Sequence, residues 1–331
     1  VVMASGLIPA LRHLYPEAHL AWLVEPAAAP LLKHNPRLDE VIVWPRGEWQ
    51  ELWRKGRYLE VWQRARAFRR ELKSRRFDLV LDAQGLLKSA VWGRLTGAAR
   101  RISLIGHEGS HRLMTERVTP PPDPTKPIGN EYRHLARYLG APPEAFQLDL
   151  ALDEATRAAA SRKLAAAGVG PRYAVLCPFT TRPQKHWFED RWSALALRLH
   201  LAGLDPVILG GPGDAEAAAR VAAGAPGSFN LAGALKLDES AAAIAGAQVL
   251  IGVDTGLTHM GTALKVPTVA LFGSPRPYLD ARTPTTAILY EALDCSPCHR
   301  HPTCDGAFHC MRLHEVDAVY ERALALAGVR P

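Results

Sequence analysis

The amino-acid sequence predicts an α/β protein of two doubly wound domains facing each other across a central cleft. Three observations predict it. Short β-branched runs alternate with segments of helical periodicity, the pattern of parallel strands joined by helices. The alternation runs twice, and a proline-rich stretch, TPPPDPTKP at 119–127, falls between the two runs. The chain has 331 residues, the length of about two domains of 100–200 residues.

In the first run, residues 19–24, 40–44, 77–82 and 101–105 read as strands. Helical periodicity covers 28–33, 59–73 and 86–95. The prolines of 119–127 remove backbone donors and fix φ, so neither helix nor strand continues there. A helix over 130–139 follows, and the interdomain link is placed at 147–153, dividing the chain into 1–150 and 151–331. The alanine-rich run 154–166 is a strong helix signal. The alternation then restarts, with strands at 173–177, 205–209, 248–253 and 268–272 and helices at 192–201, 215–222, 238–244 and 257–264. Ligands of such sheets sit beyond the carboxyl ends of the strands. No repeat of 20–50 residues is visible.

With 48% hydrophobic and 22% charged residues, the composition is that of an ordinary globular protein. No run of about 18 apolar residues is present, and no tripartite leader opens the chain; a cytoplasmic location is the expectation. The chain starts at Val1 rather than Met, which suggests that something precedes it. The net charge of +7 favours acidic partners. The excess is concentrated between Arg46 and Arg76, where eleven Arg and Lys stand against four Glu, interleaved with Trp49, Trp53, Tyr58, Trp62 and Phe68. A solvated helix face and a surface for an acidic ligand both account for this run.

Three loops carry the chemistry. In VLIGVDTGLTH, a strand ends at Asp254 and a helix begins within a turn, so free N–H groups and the helix dipole make an anion site. Gly256 leaves room for close approach, Thr255 and Thr258 add hydroxyls, and His259 adds a titratable donor. An ordinary capped helix explains the same residues equally well. In CPFTTRPQKHW, Thr180, Thr181 and Lys185 follow a strand and suit a phosphate; a plain polar loop is the alternative. In LGGPGDAE, a glycine-rich turn precedes Glu216, which could take ribose hydroxyls, although the spacing is that of neither GxGxxG nor a P-loop.

Together these segments resemble glycosyltransferase family 9, the bacterial heptosyltransferases; GVDTGLTH and FTTRPQKHW are the specific marks. DAQGLLKSA at 82–90 and the Trp/Arg-rich stretch resemble the heptosyltransferase I branch, and the likeness covers essentially the whole chain. The resemblance implies a GT-B fold and inverting, metal-independent transfer of heptose from ADP-heptose to a Kdo–lipid A acceptor at the anionic inner leaflet. By position it implies that Thr180, Thr181, Lys185, Asp254, Thr255, Gly256 and His259 meet the donor diphosphate. Glu216 would bind ribose, Leu235 would lie against adenine, and Lys88 would face the acceptor or the transferred sugar. Lys185 and Asp254 would be the catalytic residues of this chain. In the family, the Asp expected as general base closes a loop just before the segment seen here as VVMASGLIPAL, and it is expected upstream of Val1. Arg64, Arg69 and Arg70 of the basic stretch are the expected acceptor contacts.

The segment Cys295-x2-Cys298-x5-Cys304-x5-Cys310, with His299, His301 and His309 between, places four cysteines within sixteen residues. Four soft ligands at this spacing admit a structural zinc; free thiols packing a C-terminal loop are the favoured alternative. No cofactor is expected to be required. Two rivals remain at this stage. One is another GT-B nucleotide-sugar enzyme with a different donor, or an epimerase. The other is a basic nucleic-acid-binding protein, against which no helix-turn-helix, zinc-finger or RRM signature appears.

Overall fold

The structure, a computed structural model, describes residues 1–328 except 275, 276, 297, 299 and 300. The first half contains α1 (Leu7–Leu14), β1 (Ala21–Val24), β2 (Glu40–Val43), α2 (Arg46–Arg54), α3 (Tyr58–Ser74), β3 (Leu79–Asp82), α4 (Leu87–Leu95), β4 (Arg100–Leu104), β5 (Glu116–Val118) and α5 (Asn130–Tyr138). The second contains α6 (Glu154–Ala166), β6 (Tyr173–Cys177), α7 (Glu189–Leu201), β7 (Asp205–Ile208), α8 (Ala215–Ala223), β8 (Phe229–Asn230), α9 (Leu237–Ala245), β9 (Val249–Val253), α10 (Gly256–Ala263), β10 (Thr268–Phe272), β11 (Thr286–Tyr290), α11 (His309–Arg312) and α12 (Val316–Ala327).

The second half is one six-stranded sheet, ordered β11-β10-β9-β6-β7-β8, with every pairing parallel. Its central strands, YAVLC, VLIGV and TVALF, are buried at every residue. Continuous apolar runs are what a sheet covered on both faces requires. Side chains alternate between two cores: Ala174 and Leu176 face one, Tyr173, Val175 and Cys177 the other. From β6 the chain moves outward through β7 and β8, then returns to the far side of β6 to form β9, β10 and β11. The direction of winding therefore reverses between β6 and β9, and the loops leaving those strands part to leave a crevice.

The first half holds two small parallel sheets, β1–β2 and β3-β4-β5. Around Trp49 and Trp92 an aromatic core forms, with Trp44 and Phe68 packed edge-on at 5.0–6.3 Å. Leu148, Leu150 and Leu152, leading into α6, lie along the core of the second half. The two halves also meet where residues 126–128 run beside 279–280. There the Ile128 N–H donates to the Asp280 carbonyl at 2.8 Å, and the Leu279 N–H to the Lys126 carbonyl at 2.9 Å.

Several elements differ from expectation. Residues 28–33 are not an α-helix; Pro26–Leu31 forms a 3-10 turn, with Pro30 unable to donate. Helix α7 begins at Glu189, three residues before the expected start, with Glu189 and Asp190 in its first turn where acids favour the dipole. Helix α2, strand β11 and helix α12 were not anticipated.

Candidate functional site

The crevice at the winding reversal collects the polar loops of the second half. Strand β6 ends at Cys177, and the chain passes through Thr180 and Thr181 to a 3-10 turn, Pro183–Lys185. The neighbouring β9 ends at Val253, followed by Asp254 and by Thr255, the N-cap of α10. The Lys185 ammonium reaches across to the Asp254 carboxylate at 2.5 Å, and the Thr180 hydroxyl donates to the Asp254 backbone carbonyl at 3.3 Å. Residues from two divergent loops are thus tied at one point.

Asp254 is buried and both its carboxylate oxygens are engaged. Oδ2 accepts from Lys185, and Oδ1 stands 3.1 Å from Nε2 of His259. Burial by itself would raise the carboxyl, but the hydrogen bonds from His259 and Lys185 hold it below the ordinary carboxylate value. On the other side of the imidazole, Nδ1 lies 3.2 Å from the Tyr278 hydroxyl. His259 therefore spends both ring nitrogens inside the protein, and it can influence an anion in the crevice only through Asp254. The resemblance implied a direct contact with diphosphate; helical spacing instead places this side chain on the inward face of α10.

The first turn of α10 is open to the crevice. Its leading N–H groups have no intrahelical acceptors, the Thr255 side chain makes no cap hydrogen bond, and Gly256 is exposed, with no atom within 4 Å of where a Cβ would stand. An anion at this end gains the N–H groups and the helix dipole together. Thr258 is turned away; its hydroxyl donates to the Val253 carbonyl at 2.7 Å.

The glycine-rich turn sits one strand away, after β7. Asp214 closes it by accepting from the Gly211 N–H at 2.8 Å. Glu216 is 93% exposed and pairs with Arg220 at 3.3 Å. The loop after β8 is hydrogen-bonded to this turn through the Gly233 N–H and the Gly210 carbonyl at 3.0 Å. Leu235, in that loop, is half-buried against the sheet core.

On the opposite half, the carboxyl ends of β1 and β3 bring Glu25 and Lys88 together at 2.9 Å, with Arg46 also 3.7 Å from Glu25. Asp82, at the end of β3, was not singled out from sequence. It accepts from the Gln84 and Gly85 N–H groups at 3.1 Å each and so shapes the loop that delivers Lys88. Burial pushes its carboxyl above the ordinary value.

The basic, aromatic stretch divides by face. Trp49 and Phe68 are core residues, whereas Trp53, Tyr58, Leu59 and Trp62 are 55–79% exposed. Arg69 and Arg70 are exposed beside them. Arg64 is tied within its own helix pair, to Glu60 at 2.8 Å and Glu48 at 3.5 Å.

Among the described residues, no three His, Cys, Asp or Glu side chains are placed to hold a metal ion. Cys295 is exposed, Cys298 and Cys304 are half-buried, and Cys310 is buried. His299, expected within this segment, lies outside the described residues.

A family model, glycosyltransferase family 9 (heptosyltransferase), matches residues 65–307, and this span includes every crevice loop described above. The chain belongs to glycosyltransferase family 9. Among relatives, the lipopolysaccharide heptosyltransferase 1 of Pseudomonas aeruginosa is 32% identical over 293 residues, covering 86% of this chain and 78% of that protein. That of Escherichia coli K12 is 27% identical over 284 residues, covering 82% and 84%. Solved structures agree on the fold. A family 9 glycosyltransferase from Veillonella parvula superposes with a TM-score of 0.82 at 20% identity, covering 98% of this chain and 93% of that one. E. coli heptosyltransferase WaaC with ADP gives 0.73 at 24%, covering 98% and 97%. This family 9 glycosyltransferase accordingly has the GT-B fold, with the crevice between β6 and β9 at the winding reversal of its second half.

Proposed function

We propose that this glycosyltransferase moves heptose from ADP-heptose to the Kdo–lipid A inner core of lipopolysaccharide, as the names of its heptosyltransferase 1 relatives suggest. The observation that carries the reading is the junction of Lys185, Asp254 and the open start of α10 at the β6–β9 crevice. A nucleoside diphosphate suits it. The phosphates meet the α10 N–H groups and Lys185, while the adenosine end extends over the Gly210–Asp214 turn towards Glu216 and Leu235.

In the transfer step, an acceptor hydroxyl oxygen forms a bond to the anomeric carbon from the face opposite the nucleotide. The bond from that carbon to the diphosphate oxygen breaks, and its electron pair leaves with ADP. The hydroxyl proton passes to a carboxylate base. Negative charge thus grows on the diphosphate, where Lys185 and the α10 terminus stabilise it more in the transition state than in the ground state. These fixed positive groups supply the charge neutralisation, so turnover should persist in excess chelator.

The first half takes the acceptor, with Lys88 in the first turn of α4, after the loop that leaves β3. The exposed Trp53, Tyr58, Leu59 and Trp62, set among arginines, rest on the anionic membrane surface that carries the lipid acceptor. Aromatic side chains with one apolar face and one polar edge suit the headgroup zone, and each nearby cation adds about 1 kcal/mol there.

Thermal-shift titration with ADP, UDP and GDP tests the donor reading: ADP is expected to stabilise most, and equal shifts for all three would remove the adenine assignment. Release of ADP from ADP-heptose on addition of Kdo–lipid A tests the reaction.

A further inference from the structure

Behind the donor crevice a file of hydrogen bonds runs inward. The Thr286 hydroxyl donates to the Thr262 hydroxyl at 3.2 Å; burial pushes the Tyr278 phenol up, and the Thr262 hydroxyl beside it works the other way. The Tyr278 oxygen is 3.2 Å from His259 Nδ1, His259 Nε2 is 3.1 Å from Asp254 Oδ1, and Asp254 Oδ2 is 2.5 Å from Lys185. Thr286 is on β11, Thr262 and His259 are on α10, and Lys185 is on the loop after β6. The file joins elements far apart in sequence and ends on the Lys185 ammonium at the crevice.

The order of donors follows from the two ends. Asp254 is a carboxylate and can only accept, so His259 Nε2 carries a hydrogen. At the other end, the Thr262 hydroxyl accepts from Thr286, which leaves its own hydrogen to turn towards the Tyr278 oxygen. Tyr278 then has its own proton left to give, and the acceptor in reach is Nδ1 of His259. All the bonds therefore point the same way, towards Asp254.

We propose that Tyr278 is a positioning residue for donor binding and transfer: its hydroxyl, oriented by Thr262, locks His259 as the Nε2–H tautomer, and His259 in turn fixes the Asp254 carboxylate that presents Lys185. The inference rests on the diphosphate reading of this crevice. It gives His259 a task that a direct phosphate contact would not allow, because neither ring nitrogen is left over.

The surroundings of Tyr278 suit this task. Its ring is fully buried, 5.0 Å edge-on to Phe272, in a cluster that includes Ile128 from the first half. Backbone pairing of 126–128 with 279–280 holds the adjoining chain. A buried phenol with a fixed ring has little rotational freedom to lose, so it holds the imidazole at small entropic cost. Phe at this position keeps the ring contacts and deletes only the donor.

The test uses the whole chain with any upstream residues. Nitrogen-15 NMR of the histidine rings should show Nδ1 of His259 as an acceptor and Nε2 as the protonated nitrogen. A wild-type spectrum with Nδ1 protonated overturns the proposal. Tyr278→Phe should mix the tautomers and lower kcat about 2- to 10-fold, the effect of one neutral hydrogen bond, with a smaller rise in donor KM. Thr262→Val should act in the same direction and more weakly; should Tyr278→Phe fail to fold, this variant and the wild-type spectrum still decide. The discriminating measurement is the cycle with Lys185→Ala. If Tyr278 works through Lys185, Tyr278→Phe adds no further loss of kcat in the Lys185→Ala background. Additive losses, or an unchanged kcat in Tyr278→Phe alone, overturn the proposal. A wild-type protein that binds no ADP would overturn the functional reading instead and leave the tautomer measurement standing.

Discussion

The two halves of this glycosyltransferase handle charge in opposite ways. In the second half, Lys185 and Asp254 are 16% and 9% exposed and meet at 2.5 Å, behind a six-stranded sheet whose central strands are wholly buried. In the first half, sheets of two and three strands support helices whose Trp53, Trp62, Arg69 and Arg70 lie in water. Buried charges are weakly screened and geometrically fixed, so they discriminate a small anion of defined shape. Exposed charges are screened within about 10 Å at 0.1 M salt and attract a broad anionic surface of any detailed shape. The comparison teaches that the two halves set their cations at different depths; on the reading proposed above, the buried ones serve a precise site and the exposed ones an adhesive surface.

Removing the buried cation should have the largest effect. Lys185→Ala is expected to lower kcat/KM about 100-fold, the scale seen when one preorganised electrostatic group is deleted, and to leave Asp254 and His259 paired with each other. Steady-state kinetics with ADP-heptose check this; an unchanged kcat/KM would break the contrast between the halves.

On the other half, Arg69→Glu with Arg70→Glu should weaken binding to anionic vesicles and acceptor at least about 30-fold at low salt, from roughly 1 kcal/mol for each of the two cations removed, while ADP affinity stays as in the wild type. The difference should shrink at high salt. These two residues make a cleaner test than the triple variant with Arg64, whose reversal would also disturb its pairs with Glu60 and Glu48. Vesicle sedimentation across salt concentrations reads the effect. Trp53→Ser with Trp62→Ser should weaken the same binding with much less salt dependence, because burial of apolar area rather than charge is lost.

The smallest effect concerns pH. Burial holds the His314 imidazole below its ordinary value, and its Nε2 lies 3.1 Å from the Phe272 carbonyl. A group whose folded pKa is depressed binds protons more readily when unfolded, so its stabilising contribution is full above about 6.5 and is lost as pH falls below that. Thermal stability should therefore drop between pH 7.5 and 5.5, and His314→Gln should flatten that drop. The depressed Asp254 carboxyl acts only at lower pH, below about 4, so the two contributions separate. Melting curves across the two ranges check both.

Much of the fold was legible because its periodicities are local. Residues 154–166, 173–177 and 268–272 are read from sequence with the observed ends: an alanine-rich run and continuous apolar strands need no knowledge of partners. Helix α2 was not set apart because its charges and tryptophans merged into one basic run read as a solvated helix face or an acidic-ligand surface; only the packing of Trp49 against Trp92 reveals the buried side. The 3-10 turn at Pro26–Leu31 was misread because its alanines favour a helix that Pro30 forbids.

The sequence by itself determined that a hydroxyl- and lysine-bearing loop follows one buried strand and that an aspartate and an open helix start follow another. Their motif words also identified the family. Only the tertiary structure decided that these two strands are neighbours across a reversal of winding, which places Lys185 against Asp254 although 69 positions separate them. Only it decided that His259 faces inward to Tyr278 and that the tryptophans from 49 to 62 part into core and surface. The physical reason is the same in each case. Strand and helix propensities act through neighbours in sequence, whereas the pairing of a charge and the depth of a side chain depend on which faces the strand order brings together.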